Sequence, residues 1–175
     1  MIIELLKKVC SELEEKEIEY MLSGSLAMNI YTVPRMTRDI DIVINMKLSD
    51  INKFIKIFEE GFYIYEEGIE EEVINRRMFN VIDNGSGFKI DFIVRKNTDF
   101  HRNEFNRRQQ KRAFGFKPWV VSIEDLIISK LNWIQDLKSD TQISDIENLL
   151  SVPDIDKEYI EKWCEKLNLN TYNLI

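Results

Sequence analysis

The sequence predicts an α+β fold on three observations. Segments with apolar residues at helical spacing alternate with short runs rich in β-branched residues up to about residue 95. Within that region "DNGSG" offers strong turn chemistry between two strand-like runs. From residue 122 onward the pattern is mostly helical, as expected of a cap packed against a sheet.

Each element follows from local chemistry. Ile2, Leu5, Leu6, Val9 and Leu13 recur at helical spacing among Glu and Lys, so an amphipathic helix occupies residues 2 to 16. "IEYMLSG" (18 to 24) is a strand ending at a glycine, and "SLAMNIYTV" (25 to 33) a short helix stopped by Pro34. "TRDIDIVIN" (37 to 45) is a second strand. Ser49 is the expected N-cap of a helix carrying Ile51, Phe54, Ile55 and Phe58, with Gly61 at its end. Strands at 76 to 82 and 88 to 95 flank the turn. Ser122 and Asp125 form a capping-box pattern opening "IEDLIISKLNWIQDL". A short helix is expected around "SDIENLL". Pro153 and Asp156 introduce a last helix with Ile160, Trp163, Cys164 and Leu167 on one stripe. No linker or repeat divides the chain, so one domain over 1–175 is expected, with sheet and helices in 1–121 and a helical portion in 122–175.

Composition bounds the function. A chain of 175 residues suits one compact domain. Its apolar runs fall far short of the ~20 residues of a spanning helix. The start is too charged for a signal peptide, so a cytoplasmic protein is expected. Cys10 and Cys164, near opposite ends, are expected as free thiols rather than a disulfide or a zinc site. A net charge of −7 argues against a protein that coats nucleic acid. Against that average, residues 101 to 112 gather Arg102, Arg107, Arg108, Lys111 and Arg112 beside a single Glu104. This segment is either a solvated helix face or a docking patch for RNA phosphates.

The chemistry is carried by carboxylates. Side chains alternate along a strand, so Asp39 and Asp41 share one face, about 7 Å apart at the backbone, while Ile40 and Ile42 hold the core from the other. Pairing with Arg35 or Arg38, or an exposed strand face, would also explain them. Asp91 changes the balance by interrupting another apolar strand, "FKIDFIV". Three strand-borne carboxylates repel one another unless a cation joins them, and an oxygen-liganded ion such as Mg²⁺ suits the set. Gly24-Ser25 at a strand-to-helix turn leaves backbone N–H groups free to hold a phosphate. Lys130 falls on the apolar side of its helix, where it either snorkels or reaches an anion. His101 is at most a minor contact, and Asp145 is explained equally by a helix cap or a salt bridge.

Gly24-Ser25, a helix, Asp39-x-Asp41 on one strand and Asp91 on a later one together resemble the signature of the DNA polymerase beta type nucleotidyltransferase superfamily. The stretch "SIEDLIISKLNWIQD" followed by "DIENLL" is similar to small bacterial nucleotidyltransferases related to abortive-infection toxins. The resemblance implies a mixed, twisted sheet with helices packed against it and a helical C-terminal portion. It further implies transfer of a nucleoside monophosphate from a nucleoside triphosphate such as ATP, with two Mg²⁺ ions. Asp39 and Asp41 would bind both metals. Asp91 would hold the ion that activates the acceptor hydroxyl. Gly24, Ser25, Arg38 and Lys130 would contact the nucleotide. RNA, in particular tRNA, held by the 101 to 112 cations is the acceptor expected first, in a toxin or phage-defence role with a possible antitoxin partner. An aminoglycoside, a lincosamide or a protein is the alternative acceptor. A non-catalytic relative that binds nucleotide or a partner protein is the remaining reading.

Overall fold

The structure, a computed structural model, describes residues 1–175. In chain order it contains α1 (Ile2–Glu15), β1 (Glu19–Ser23), α2 (Gly24–Tyr31), β2 (Asp39–Asn45), a 3₁₀ turn (Leu48–Asp50) running into α3 (Ile51–Ile57), β3 (Phe62–Ile64), α4 (Glu66–Ile74), β4 (Met78–Asp83) and β5 (Lys89–Val94). There follow α5 (Asp99–Asn106), β6 (Gln109–Gln110), β7 (Trp119–Val120), α6 (Ile123–Trp133), α7 (Asp140–Leu150) and α8 (Lys157–Lys166). The seven strands form one sheet in the order β3-β4-β5-β2-β1-β7-β6. The β1/β2, β3/β4, β4/β5 and β6/β7 pairs are antiparallel, whereas β2/β5 and β1/β7 are parallel. The sheet is therefore mixed, as expected.

Alternation along β2 separates the core from the site. Ile40, Ile42 and Ile44 are fully buried, while Asp39, Asp41 and Val43 on the other face are partly exposed. Behind the isoleucines lies an aromatic cluster in which Phe54 of α3 meets Phe92 of β5 edge-on at 4.9 Å and Phe79 of β4 at 5.5 Å. Such offset contacts add to the burial of large rings. Helix α1 packs on β1 and α3, and α2 on β1, β2 and α6. In turn α6 packs on α7 and α8. One cluster of 39 buried side chains runs from Leu5 to Cys164. Both cysteines are free and buried, and no helix is long and apolar enough to cross a membrane.

One local expectation is revised. Ser49 is not an N-cap, because the helix begins as the 3₁₀ turn, where the Asp50 carboxylate reaches back to accept the Lys47 N–H at 2.9 Å. The acidic run "EEGIEEE" (66 to 72), to which the sequence pattern assigns no element, opens α4, in which Ile69 and Val73 lie one turn apart and are buried.

The basic segment is a second departure. Arg102 pairs with Asp99, Arg107 with Asp125 and Glu124, and Arg108 with Glu19 while lying over the Phe105 and Trp119 rings. Arg107 and Arg108 are thus committed to partners elsewhere in the fold, Arg102 makes a local exposed pair, and of the docking patch offered as one alternative only Lys111 and Arg112 form no ion pair. The cause is tertiary, since Glu19, Glu124 and Asp125 are remote in sequence from the arginines they neutralise.

Where α5, α6 and α8 meet, Asp125 is fully buried and accepts from Ser122 (2.7 Å), Arg107 (2.9 Å) and Tyr159 (2.6 Å). Ser122 Oγ also caps α6 by accepting the Asp125 N–H, as the capping pattern predicts. Glu104 is buried nearby and accepts from Ser129 at 2.6 Å. Burial pushes its carboxyl up to about 8. A carboxyl whose folded value is raised lends its stability below the unfolded value and loses it as pH rises through the folded one. Stability should therefore decline from about pH 4.5 to about pH 8 on this account. Glu104→Gln should flatten that decline in denaturant melts taken across the interval; an unchanged slope would show that Glu104 is not its source.

Candidate active site

The site is set by register. In the parallel pair of β2 and β5, Asp41 lies beside Asp91 and Asp39 beside Lys89, while on the other side Ser23 of β1 lies beside Asp41. Neighbouring strands stand about 4.8 Å apart, so Asp41 and Asp91 project side by side from one face. Gly24 follows β1 and opens α2 with φ of +60°. A Cβ at Gly24 would come 1.9 Å from Asp41 Oδ2, so the Asp41 carboxylate rests directly over the turn. Only glycine permits both the backbone conformation and this approach.

Electrostatics marks the same place. Burial, and then the charges of Asp91 and Asp39, raise the Asp41 carboxyl above its ordinary value; Lys130 and Lys89 partly oppose them. Asp91 is buried. Its Oδ2 accepts from Lys89 Nζ at 2.9 Å, while its Oδ1 is buried without any hydrogen-bond partner. The same ammonium stands 3.7 Å from Asp39 Oδ1. The hydrogen bond to Asp91 holds the Lys89 ammonium above its ordinary value. An acceptor atom left unmatched beside two further carboxylates suits a hard divalent cation. No three acidic, histidine or cysteine side chains are gathered in metal-holding geometry, these carboxylates included.

Beside the turn lies a second charged group. Arg35 donates from Nε and Nη2 to the two oxygens of Asp145 (2.9 and 2.8 Å), and from Nη2 to Ser25 Oγ at 2.8 Å. Lys130 is buried and donates to Asp145 Oδ2 at 2.9 Å and to Gln142 Oε1 at 3.2 Å. Burial would raise the Asp145 carboxyl, but the hydrogen bonds from Arg35 and Lys130 outweigh it and hold the group low. The lysine expected either to snorkel or to reach an anion thus meets Asp145, and it is near enough to Asp41 to offset its charge. Asp145→Ala would leave the Lys130 ammonium buried without its counter-ion, which typically costs about 3–5 kcal/mol. Urea melts should show a loss of that order, and a loss under about 1 kcal/mol would show that Lys130 finds another partner.

A cleft of about 480 Å³ opens next to this group, lined among others by Pro34, Arg35, Asp140, Thr141, Ser144 and Asn148. Arg38 is exposed on the segment entering β2 and forms no ion pair. His101 lies outside the site, its Nδ1 2.7 Å from Thr98 Oγ1. Sequence reasoning missed Lys89, although its place two residues before Asp91 on the same strand puts it on the same face.

No curated protein matches the chain in sequence. Among solved structures, the antibiotic-resistance factor ANT(2'')-Ia is similar with a TM-score of 0.65 at 12% identity, over 95% of this chain and 90% of that one. The lincosamide antibiotic adenylyltransferase LnuA, in its lincomycin-bound form, gives 0.58 at 16%, over 83% and 94%. A nucleotidyltransferase-like protein from Paracoccidioides brasiliensis gives 0.55 at 16%, over 94% and 88%. At these identities the likeness is one of fold. The sequence family described as nucleotidyltransferase of unknown function, DUF6036, matches residues 1–173, and the chain, with its paired strand carboxylates beside a glycine-serine turn, belongs to that family.

Proposed function

We propose that the protein transfers a nucleoside monophosphate from a nucleoside triphosphate to an acceptor hydroxyl at the Asp39–Asp41–Asp91 face. The observation that carries this reading is the in-register pair Asp41/Asp91, with an unmatched Asp91 oxygen, beside the Gly24–Ser25 turn. Asp39 and Asp41 would hold two Mg²⁺ ions, and Asp91 would share in the ion on the acceptor side. When bound, such ions neutralise charge on the attacking and leaving oxygens of an in-line displacement. Backbone N–H groups at the start of α2 and the Ser25 hydroxyl hold the triphosphate. Arg38 and Lys130 add positive charge around it. Asp91 takes the proton of the acceptor hydroxyl, whose oxygen forms a bond to the α-phosphorus. The bond from that phosphorus to the bridging oxygen breaks, and pyrophosphate leaves. Positioning and charge neutralisation carry the catalysis, so no covalent nucleophile is needed.

A compact hydroxyl compound suits the surroundings better than RNA. The cleft beside Ser25 is walled by Arg35, Asp140, Thr141, Ser144 and Asn148, with Asp145 already paired to Arg35 and Lys130, and Arg107 and Arg108 of the basic segment are held by acidic residues distant in sequence. Two proteins of similar fold are described with hydroxyl compounds, ANT(2'')-Ia in complex with adenylyl-2''-tobramycin and the lincosamide antibiotic adenylyltransferase LnuA bound to lincomycin. The test is transfer from α-labelled ATP, CTP, GTP and UTP with Mg²⁺ to three acceptors: small RNA, soluble cell protein, and a panel of aminoglycosides and lincosamides. Asp41→Asn is the control. Label on the small compounds that is lost in the variant supports the reading. Label confined to RNA would restore the tRNA-directed toxin role, and label confined to protein would make the chain a protein-modifying enzyme. No label on any acceptor would favour a nucleotide- or partner-binding role.

A further inference from the structure

We propose that Lys89 is a built-in counter-cation that occupies the metal seat of the free protein and yields it only when metal arrives with the triphosphate. The inference rests on the metal-dependent reading above and adds a regulatory step to it. Strand geometry fixes the lysine there: it precedes Asp91 by two residues on β5 and is the register partner of Asp39 on β2. Its side chain must therefore leave the sheet between two of the three carboxylates. The ammonium donates to Asp91 Oδ2 at 2.9 Å and stands 3.7 Å from Asp39 Oδ1, so one cation spans both flanks of the site.

Two further observations fit a placeholder rather than a permanent pair. Asp91 keeps its other oxygen buried and unmatched, so the lysine satisfies only half of that carboxylate. The Lys89 side chain is 41% exposed against 9% for that of Asp91, so the lysine can swing into water on its flexible stem while the aspartate stays. A free divalent ion must displace the ammonium without help. One arriving on a triphosphate brings the phosphate contacts of the α2 turn with it, and these offset the displacement. Metal entry is thereby coupled to nucleotide entry, and the carboxylates are kept from repelling one another meanwhile.

The coupling is tested by titrating Mn²⁺ into the 175-residue protein, first without and then with ATP, and following free Mn²⁺ by electron paramagnetic resonance against the same titration of ATP alone. Wild type, Lys89→Met, Lys89→Arg and the Lys89→Met/Asp91→Asn double variant are compared. Lys89→Met should bind Mn²⁺ about fivefold or more tightly than wild type, a difference near 1 kcal/mol. Lys89→Arg, which keeps the charge, should stay near wild type, and the double variant should lose the gain. Lys89→Gln takes the place of the Met variant if the latter does not fold. A gain below about fivefold, with wild type and variant both binding Mn²⁺ in the presence of nucleotide, overturns the placeholder and leaves the metal-dependent reading standing. Failure of both to bind Mn²⁺ even with nucleotide overturns the two together.

Discussion

Asp41→Asn should lower nucleotidyl transfer by about a thousandfold or more while making the metal-free protein more stable at neutral pH. The activity loss follows from position, because Asp41 is central among the carboxylates, beside Asp91 in register and directly over the Gly24 turn. Removing one shared ligand forfeits several kcal/mol of charge neutralisation, and each 1.4 kcal/mol or so is about tenfold in rate. The stability gain follows from the raised Asp41 carboxyl, which burial and the charges of Asp91 and Asp39 produce. A carboxyl with a raised folded value stabilises the fold when protonated and loses that contribution as pH rises through the folded value. At pH 7 the ionised group is therefore a net cost, which an uncharged amide of the same shape removes. Thermal melts in chelator should place the Asp41→Asn variant above wild type at pH 7, with the gap closing as pH falls towards the ordinary aspartate value of 3.8. Undiminished transfer by the variant would remove Asp41 from the catalytic set. A lower melting temperature at pH 7 would show that the carboxylate is stabilised by something other than its visible neighbours.

Gly24→Ala should have the second largest effect, and on folding and activity together. The added methyl would need the place now held by Asp41 Oδ2, 1.9 Å from the ideal Cβ, on a backbone at φ +60°. Non-glycine residues in that region carry of order 1–3 kcal/mol of strain, and the displaced carboxylate moves out of register with Asp91. Denaturant melts should show a loss of about 2 kcal/mol or more, with transfer falling at least about tenfold in whatever fraction folds. Full activity at unchanged stability would mean that the turn relaxes freely and that the close approach has no role. Ser25→Ala provides the contrast. It removes only a hydroxyl that accepts from Arg35 and adds no strain, so its effect should appear in triphosphate binding rather than in folding.

Much of this was legible in the chain because period-two patterning is local. The alternation in "DIDIVIN" and "FKIDFIV" already put three carboxylates on strand faces and their isoleucine neighbours in the core, and the structure keeps that division. The turn, the hairpin and the caps at Ser122 and Asp156 were equally readable, since each depends on residues within a few positions of one another. Short elements were not: α4 hid in a run of glutamates because only Ile69 and Val73 mark its buried side.

By itself the sequence determined the four longer strands β1, β2, β4 and β5, the acid-bearing positions of β2 and β5, and that a glycine precedes the helix beside them, because all three are set by backbone sterics and side-chain alternation; the short strands β3, β6 and β7 exist only through their pairing in the sheet. Only the tertiary structure decided that β2 and β5 run parallel with Asp41 against Asp91, that Lys89 bridges Asp39 and Asp91, and that Arg107 and Arg108 are paired with distant acidic residues. The physical reason is that charge acts through space: a cation's partners are set by which strands and helices pack together, and residues as far apart as Arg35 and Asp145 or Glu19 and Arg108 meet only once the chain has folded.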